Sequence, residues 1–185
     1  ILIQKIKEQK PDMILVPGDM IVSRYPETYE TAYQAVKKLT EIAPVYFSNG
    51  NHESRVSKVP VMQTEAFLEY ENRVRKLGVH ILNNASEEVI LHGGKFCISG
   101  LEIPLECYGK GSYEPLPEHF IQEALGEAKK DAVQILLAHN PMFAKEYADW
   151  GADITVCGHT HGGLVRIPGI GSVISPQFEL FPKYD

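Results

Sequence analysis

Short apolar runs alternate along the chain with longer segments in which apolar positions recur every three or four residues, a pattern that predicts strands separated by helices. Ile3 and Ile6, followed by Pro11, read as a helix ended by proline. "DMILVPGDM" is then a short strand running into a Gly-Asp turn. Ala32, Val36 and Leu39 set one face of a second helix, and "APVYFSNGNHE" is a second strand breaking into a Gly-Asn turn. Met62, Ala66, Tyr70 and Val74 predict a third helix, closed by Gly78. "EEVILHGGKFCISG" predicts a hairpin about Gly93-Gly94, whereas "LEIPLECYGKGSYEPLP" has no period and reads as a long surface loop. Phe120 and Ala124 mark a helix after Pro117, and "AVQILLAHNP" is the most apolar strand in the chain. Phe143, Tyr147 and Trp150 recur at helical spacing before Gly151, and "ADITVCGHTHGG" is one more strand. Strands alternating with helices imply βαβ units, so the fold class is α/β with a mixed sheet.

Composition narrows this without changing it. The 185 residues fit one domain, 1–185, with 44% hydrophobic and 23% charged residues interleaved as in a globular protein. A net charge of -6 argues against a nucleic-acid-binding surface or charge-driven membrane binding, and an anionic substrate would need a locally positive site. No apolar run approaches the roughly 20 residues that span a bilayer. Cys97, Cys107 and Cys157 have no CxxC spacing, which suggests neither a disulfide framework nor a cysteine zinc site. The chain opens at Ile1 inside a helical period, so the expectation is that the natural N-terminus lies upstream. Localisation, cytoplasmic or membrane-associated, would then depend on that segment.

Four apolar strand runs end in polar clusters: Asp19 in "VPGD", Asn51 to Glu53 in "SNGNHE", His139 in "LLAHN", and His159 and His161 in "VCGHTH". In open α/β sheets ligands sit beyond the carboxyl ends of the strands, so these clusters can converge. In an extended segment residues i and i+2 face the same way, which would point His159 and His161 together. Mixed oxygen and nitrogen ligands without thiolate suit manganese, iron or zinc.

With these blocks in order, the sequence resembles the calcineurin-like metallophosphoesterase family. Its pattern is D-x-H, G-D, G-N-H-[DE], a lone His, and G-H-x-H, each at a strand end. The last four blocks stand here as Gly18-Asp19, Gly50-Asn51-His52-Glu53, His139 and Gly158-His159-Thr160-His161. "LLAHNP", "GLVRIPG" and "SPQFELFPKYD" look like the bacterial single-domain phosphodiesterase subgroup. The resemblance implies an αββα sandwich with mixed sheets and metal ligands at the strand ends. It implies that Asp19 bridges two divalent metals, that Asn51, His139 and His159 complete one, and that His161 serves the other. It also implies hydrolysis of a small phosphoester, most readily a phosphodiester, by a metal-activated hydroxide, with His52 as the catalytic imidazole beside the metals. Glu53 would orient His52, and Arg55 would pair with a phosphate oxygen, a solvated loop arginine being the plain alternative.

Departures matter too. No Asp-x-His occurs in these residues, so one metal keeps a full set of ligands and the other has Asp19 and His161 alone. The expectation is one metal held well and a second held weakly, in a chain lacking the D-x-H strand and the closing strands. Some relatives support the catalytic histidine with an aspartate soon after G-D. Here Met20, Ile21, Val22 and Ser23 offer no evident replacement. A phosphomonoesterase, a nucleotide-lipid pyrophosphatase and a non-catalytic metal-binding relative remain alternatives. A metallo-β-lactamase-type site does not, because Gly163 stands where H-x-H-x-D-H needs aspartate. His80, His92 and His119 fall outside every cluster and read as ordinary surface or half-buried histidines.

Overall fold

The computed structural model describes the whole chain except residues 63, 110–113, 168, 170, 176, 177, 179 and 183–185. Helix α1 (Leu2–Glu8) leads to β1 (Ile14–Val16), then α2 (Thr28–Thr40), β2 (Val45–Phe47), α3 (Asn51–Lys58), α4 (Glu65–Lys76) and β3 (His80–Ile81). The hairpin β4 (Ala85–Leu91) and β5 (Gly94–Leu101) follows, then α5 (Phe120–Leu125), β6 (Val133–Ala138), α6 (Ala144–Trp150) and β7 (Ile154–Val156). A second hairpin, β8 (Val165–Ile167) and β9 (Gly171–Ile174), comes last.

Strands β1, β2 and β3 form one parallel sheet, in that order. Strands β4 to β7 form a mixed sheet in which β4 is antiparallel to β5 and the rest are parallel. Side-chain alternation along the strands builds three cores from these two sheets. Ile14, Val16, Val45 and Phe47 face outward onto α2 and α4, meeting Val36, Leu39, Phe67 and Tyr70. Leu101, Leu136 and Ala138 face the opposite way, onto Ile121, Tyr147 and Trp150. Between them Tyr46, Leu82, Ile98 and Leu137 pack sheet against sheet, with Leu15 and Val156 at the margin. The layers are therefore helix, sheet, sheet, helix, and each fully buried aliphatic or aromatic side chain contributes about 1.5–3 kcal/mol to holding them. Gly100 marks the closest approach, since a Cβ there would lie 1.8 Å from the Leu82 carbonyl oxygen.

The hydrophobic pattern located these elements with three corrections. The α4 face is Phe67, Tyr70 and Val74; Ala66 is exposed, because Thr64 caps the helix by accepting a hydrogen bond from the Phe67 amide and so sets its start. The segment after "SNG" is not an irregular loop: Asn51–Lys58 is helical, with Glu53 accepting from the Gly50 amide at 3.1 Å to satisfy its first turn. Within 101–117, Leu101, Ile103, Cys107 and Tyr108 are buried, and Leu105–Tyr108 forms a 3₁₀ turn under α5 and α6, so much of this segment is core rather than surface. Residues 110–113 of it lie outside the described residues.

Candidate metal centre

Asp19, Asn51, His139 and His159 follow the carboxyl ends of β1, β2, β6 and β7, so the site straddles the edges of both sheets. Gly18 permits the turn after β1. Its φ is +97°, and a Cβ would fall 2.0 Å from the Gly50 amide nitrogen, so the two loops touch backbone to backbone. Asp19 itself stands at φ +56°. Its Oδ1 accepts the His52 amide at 2.9 Å and its Oδ2 lies 2.9 Å from His139 Nε2. Burial alone would raise the Asp19 carboxyl, but His139 and then His52 outweigh it and hold the group below its ordinary value.

His139 is 2% exposed, and its Nδ1 lies 2.7 Å from the Pro17 carbonyl oxygen. A carbonyl can only accept, so Nδ1 carries the proton and Nε2 presents a lone pair when the ring is neutral. That nitrogen, despite its distance to Asp19, makes no aligned hydrogen bond among the described residues. Asn51 Oδ1 and His159 Nε2 are likewise buried without a hydrogen-bond partner there. Burial, then the neighbouring His139, pushes the His159 imidazole down to about 4, so it is neutral at neutral pH. The Tyr108 ring meets His159 edge to face at 5.0 Å between centroids. Ligand atoms of Asp19, His139 and His159 all lie within 4.8 Å of one another. Buried polar atoms left unpaired cost free energy, and three of them beside a carboxylate suit a divalent cation of the nitrogen- and oxygen-accepting kind.

His161 is exposed and lies outside that group of three, though it lines the same depression, of about 420 Å³. The expected i, i+2 alternation does not operate, because His159 and His161 both have positive φ, +65° and +55°. Hydrogen bonds from the Thr160 amide to Gly158 and from the Gly163 amide to Thr160, each 2.7 Å, fold the segment into tight turns instead.

Glu53 does not serve His52. Its carboxylate, 2% exposed, accepts from the amides of Asp19, Met20, Ile21 and Gly50 at 2.7–3.2 Å, clamping the loop after β1 to the start of α3. Burial, and next the charge of Asp19, push it up to about 7 against the pull of those amides. The support for His52 comes from Ser23, whose amide donates to His52 Nδ1 at 3.0 Å while its hydroxyl lies 3.0 Å from the same atom. An amide donor on Nδ1 leaves the ring proton on Nε2. No sequence signal marks Ser23, because its contribution is mainly a peptide group. Burial lowers the His52 pKa, as do Arg55, His139 and His161, while Asp19 opposes them. Arg55, on α3, thus acts on His52 through its charge. The remaining histidines are accounted for elsewhere: His80 lies 2.8 Å from Glu87 and stacks on Tyr46, His92 is 3.0 Å from Asp12, and His119 is exposed beside Glu118.

The chain is 27% identical over 169 residues to the phosphodiesterase YaeI of Escherichia coli (strain K12), covering 91% of this chain and 56% of that protein. It is 28% identical over 182 residues to the uncharacterized metallophosphoesterase YkuE of Bacillus subtilis (strain 168), covering 96% and 56%. A zebrafish (Danio rerio) transmembrane protein with metallophosphoesterase domain is 25% identical over 186 residues, covering 96% and 39%. The chain thus spans little more than half the length of these relatives, or less. Among the described residues no helix is long and apolar enough to cross a membrane. A profile of calcineurin-like phosphoesterases matches residues 2–163, and the chain belongs to that family.

Proposed function

We propose that the protein hydrolyses a phosphodiester in a metal-dependent reaction, as a single-domain enzyme, with Asp19, Asn51, His139 and His159 holding a manganese, iron or zinc ion. The observation that carries this reading is the gathering of the Asp19, His139 and His159 ligand atoms within 4.8 Å of one another, with His139 Nε2, His159 Nε2 and, after β2, Asn51 Oδ1 buried without a hydrogen-bond partner among the described residues. When bound, such a metal would lower the pKa of a water and offset phosphoryl charge. The residues supply the rest. Pro17 fixes the tautomer of His139, Glu53 holds the Asp19 loop, and Ser23 keeps the His52 proton on Nε2, where it can donate to a phosphoryl or leaving-group oxygen. His161, outside the group of three, would belong to a second metal held more weakly. The phosphodiester preference is supported by the similarity to the phosphodiesterase YaeI.

The test is hydrolysis of bis(p-nitrophenyl) phosphate with added manganese, with Asp19→Ala and His52→Ala as controls. Turnover that exceeds both variants and disappears with chelator is expected. Turnover no greater than theirs would replace this reading with a non-catalytic metal-binding one. Calorimetric titration showing two equally tight metal sites would remove the weak-second-site statement.

A further inference from the structure

Leu101 ends β5 opposite Ala138 of β6, so Glu102 leaves the second sheet on the rung where His139 does. Its carboxylate, 7% exposed, reaches toward the other sheet. Oε1 accepts from Asn49 Nδ2 at 2.9 Å and from the Ser54 hydroxyl at 2.8 Å, and Oε2 meets Lys58 at 2.7 Å. Asn49 and Ser54 flank Asn51 along the chain, so a single oxygen brackets that residue from both sides. The adjacent Asn83 and Asn84 repeat the tie: Asn83 Oδ1 accepts the Asn49 amide at 3.0 Å, and Asn84 Oδ1 accepts the Glu102 amide at 2.8 Å. Further on, the same segment reaches the histidines. The Leu105–Tyr108 turn is closed by the Cys107 amide on the Pro104 carbonyl at 3.1 Å, and Asn140, next to His139, donates from Nδ2 to the Cys107 carbonyl at 3.2 Å. Tyr108, 8% exposed, is thereby held against the rings of His159 and His139, at 5.0 and 6.2 Å between centroids.

His139 is oriented by its hydrogen bond to Pro17, whereas the His159 ring is packed against other rings, Tyr108 at 68° and His139 at 69° between planes. An imidazole held by packing can turn when a neighbour is cut away, and that turn carries Nε2 off the point where the Asp19 and His139 ligand atoms meet it. Asn51 has a matching weakness. Its Oδ1 has no hydrogen-bond partner among the described residues, and it opens α3, so its place depends on what grips that helix. We propose that residues 102–108 set the spacing between the two halves of the centre, Glu102 being the positioning residue for Asn51 and Tyr108 that for His159. The inference rests on the metal reading above for its ligands, and its test reads metal binding rather than turnover.

The probe is manganese, titrated calorimetrically into the full chain, with urea unfolding in chelator to show that each variant is folded. Tyr108→Leu is expected to weaken the tight site about 3- to 10-fold, the worth of one aromatic pair, while Tyr108→Phe keeps it within about twofold. Glu102→Ala should weaken it by about 10-fold or more, as the loss of an outer partner does. Glu102→Gln should hold it within about threefold, because the amide oxygen still accepts from Asn49 and Ser54 and half-exposed Lys58 can turn to water. Ile121→Ala, from the same core as Tyr108, should lower the urea midpoint and leave manganese affinity unchanged. Wild-type affinity in Tyr108→Leu or in Glu102→Ala overturns the proposal. So does a Tyr108→Phe as weak as Tyr108→Leu, a Glu102→Gln as weak as Glu102→Ala, or an equal loss in Ile121→Ala, which would mean that any loosening of the core has the same effect. If Glu102→Ala does not fold, the contrast of Tyr108→Leu with Tyr108→Phe decides. No manganese binding by wild type overturns the metal reading and this inference with it, whereas wild-type binding that no variant alters overturns this inference alone.

Discussion

On the side of the site built from β1 and β2, Asp19 and His52 are fixed by peptide groups. Glu53 gathers four amides from two loops, and Asp19 and Ser23 receive or supply one each for His52. On the side built from β7, His159 and His161 stand in consecutive turns with positive φ, and His161 is exposed. On the first side folding satisfies most polar atoms, Asn51 Oδ1 excepted; on the second, His159 Nε2 has no hydrogen-bond partner among the described residues and His161 stands at the rim. The contrast teaches that hydrogen-bonded rigidity is concentrated in the first half, whereas the second presents its imidazoles from tight turns.

Asp19→Ala joins both halves and should have the largest effect. It removes a proposed ligand and the acceptor of the His52 amide, so metal-dependent hydrolysis of bis(p-nitrophenyl) phosphate should fall by about a thousandfold or more, several kcal/mol of transition-state stabilisation. Glu53→Ala strikes the rigid half. Four amides, two of them buried and two part-buried, lose their acceptor, and urea unfolding with chelator present should show a loss of about 4 kcal/mol. If it costs no more than a surface substitution, the clamp is not what organises that side. His161→Ala strikes the other half and should leave unfolding within about 0.5 kcal/mol of wild type. In a manganese titration it should keep the tight site within twofold, whereas His159→Ala should weaken that site by more than the roughly 10–100-fold lost with an outer partner. Equal effects of the two histidine variants would erase the distinction between them. Ser23→Ala, which keeps the amide donor and loses the hydroxyl, should lower kcat by less than about tenfold, within the range of one neutral hydrogen bond.

A pH measurement sharpens the same comparison from outside the site. Buried Glu102 accepts hydrogen bonds from Asn49 and Ser54 at 2.9 and 2.8 Å and pairs with Lys58 at 2.7 Å. Burial alone would raise its carboxyl, but Lys58, Asn49 and Ser54 outweigh burial and hold it below the ordinary value. The stability it contributes is present above the ordinary carboxylate range and is lost as pH falls through the lowered value. Glu102→Gln should therefore show a flatter decline of unfolding free energy below about pH 4 than wild type.

The residues of the proposed centre, Asp19, Asn51, His139 and His159, could be named from sequence because each follows an apolar run that the two-residue period identifies as a strand. The α/β layering was legible for the same reason. What escaped was carried by the main chain or by distant packing. Helix α3 begins where a turn was expected because Glu53 satisfies its first amide. Ser23 supports His52 mainly with a peptide N–H that every residue but proline possesses. Tyr108 reaches His159 from a stretch whose prolines and glycines hid its buried positions.

The clamp around Glu53 has an evolutionary side. Its partners at Asp19, Met20, Ile21 and Gly50 are amides, so the bond made by residue 20 does not depend on the identity of the Met20 side chain. A proline at 20 would sever the wiring that other side chains there leave intact, while at 50 every side chain is excluded, because a Cβ would lie 2.3 Å from Asp19 Oδ1. A centre built this way is specified by a handful of letters, which leaves the rest of the chain free to diversify around it.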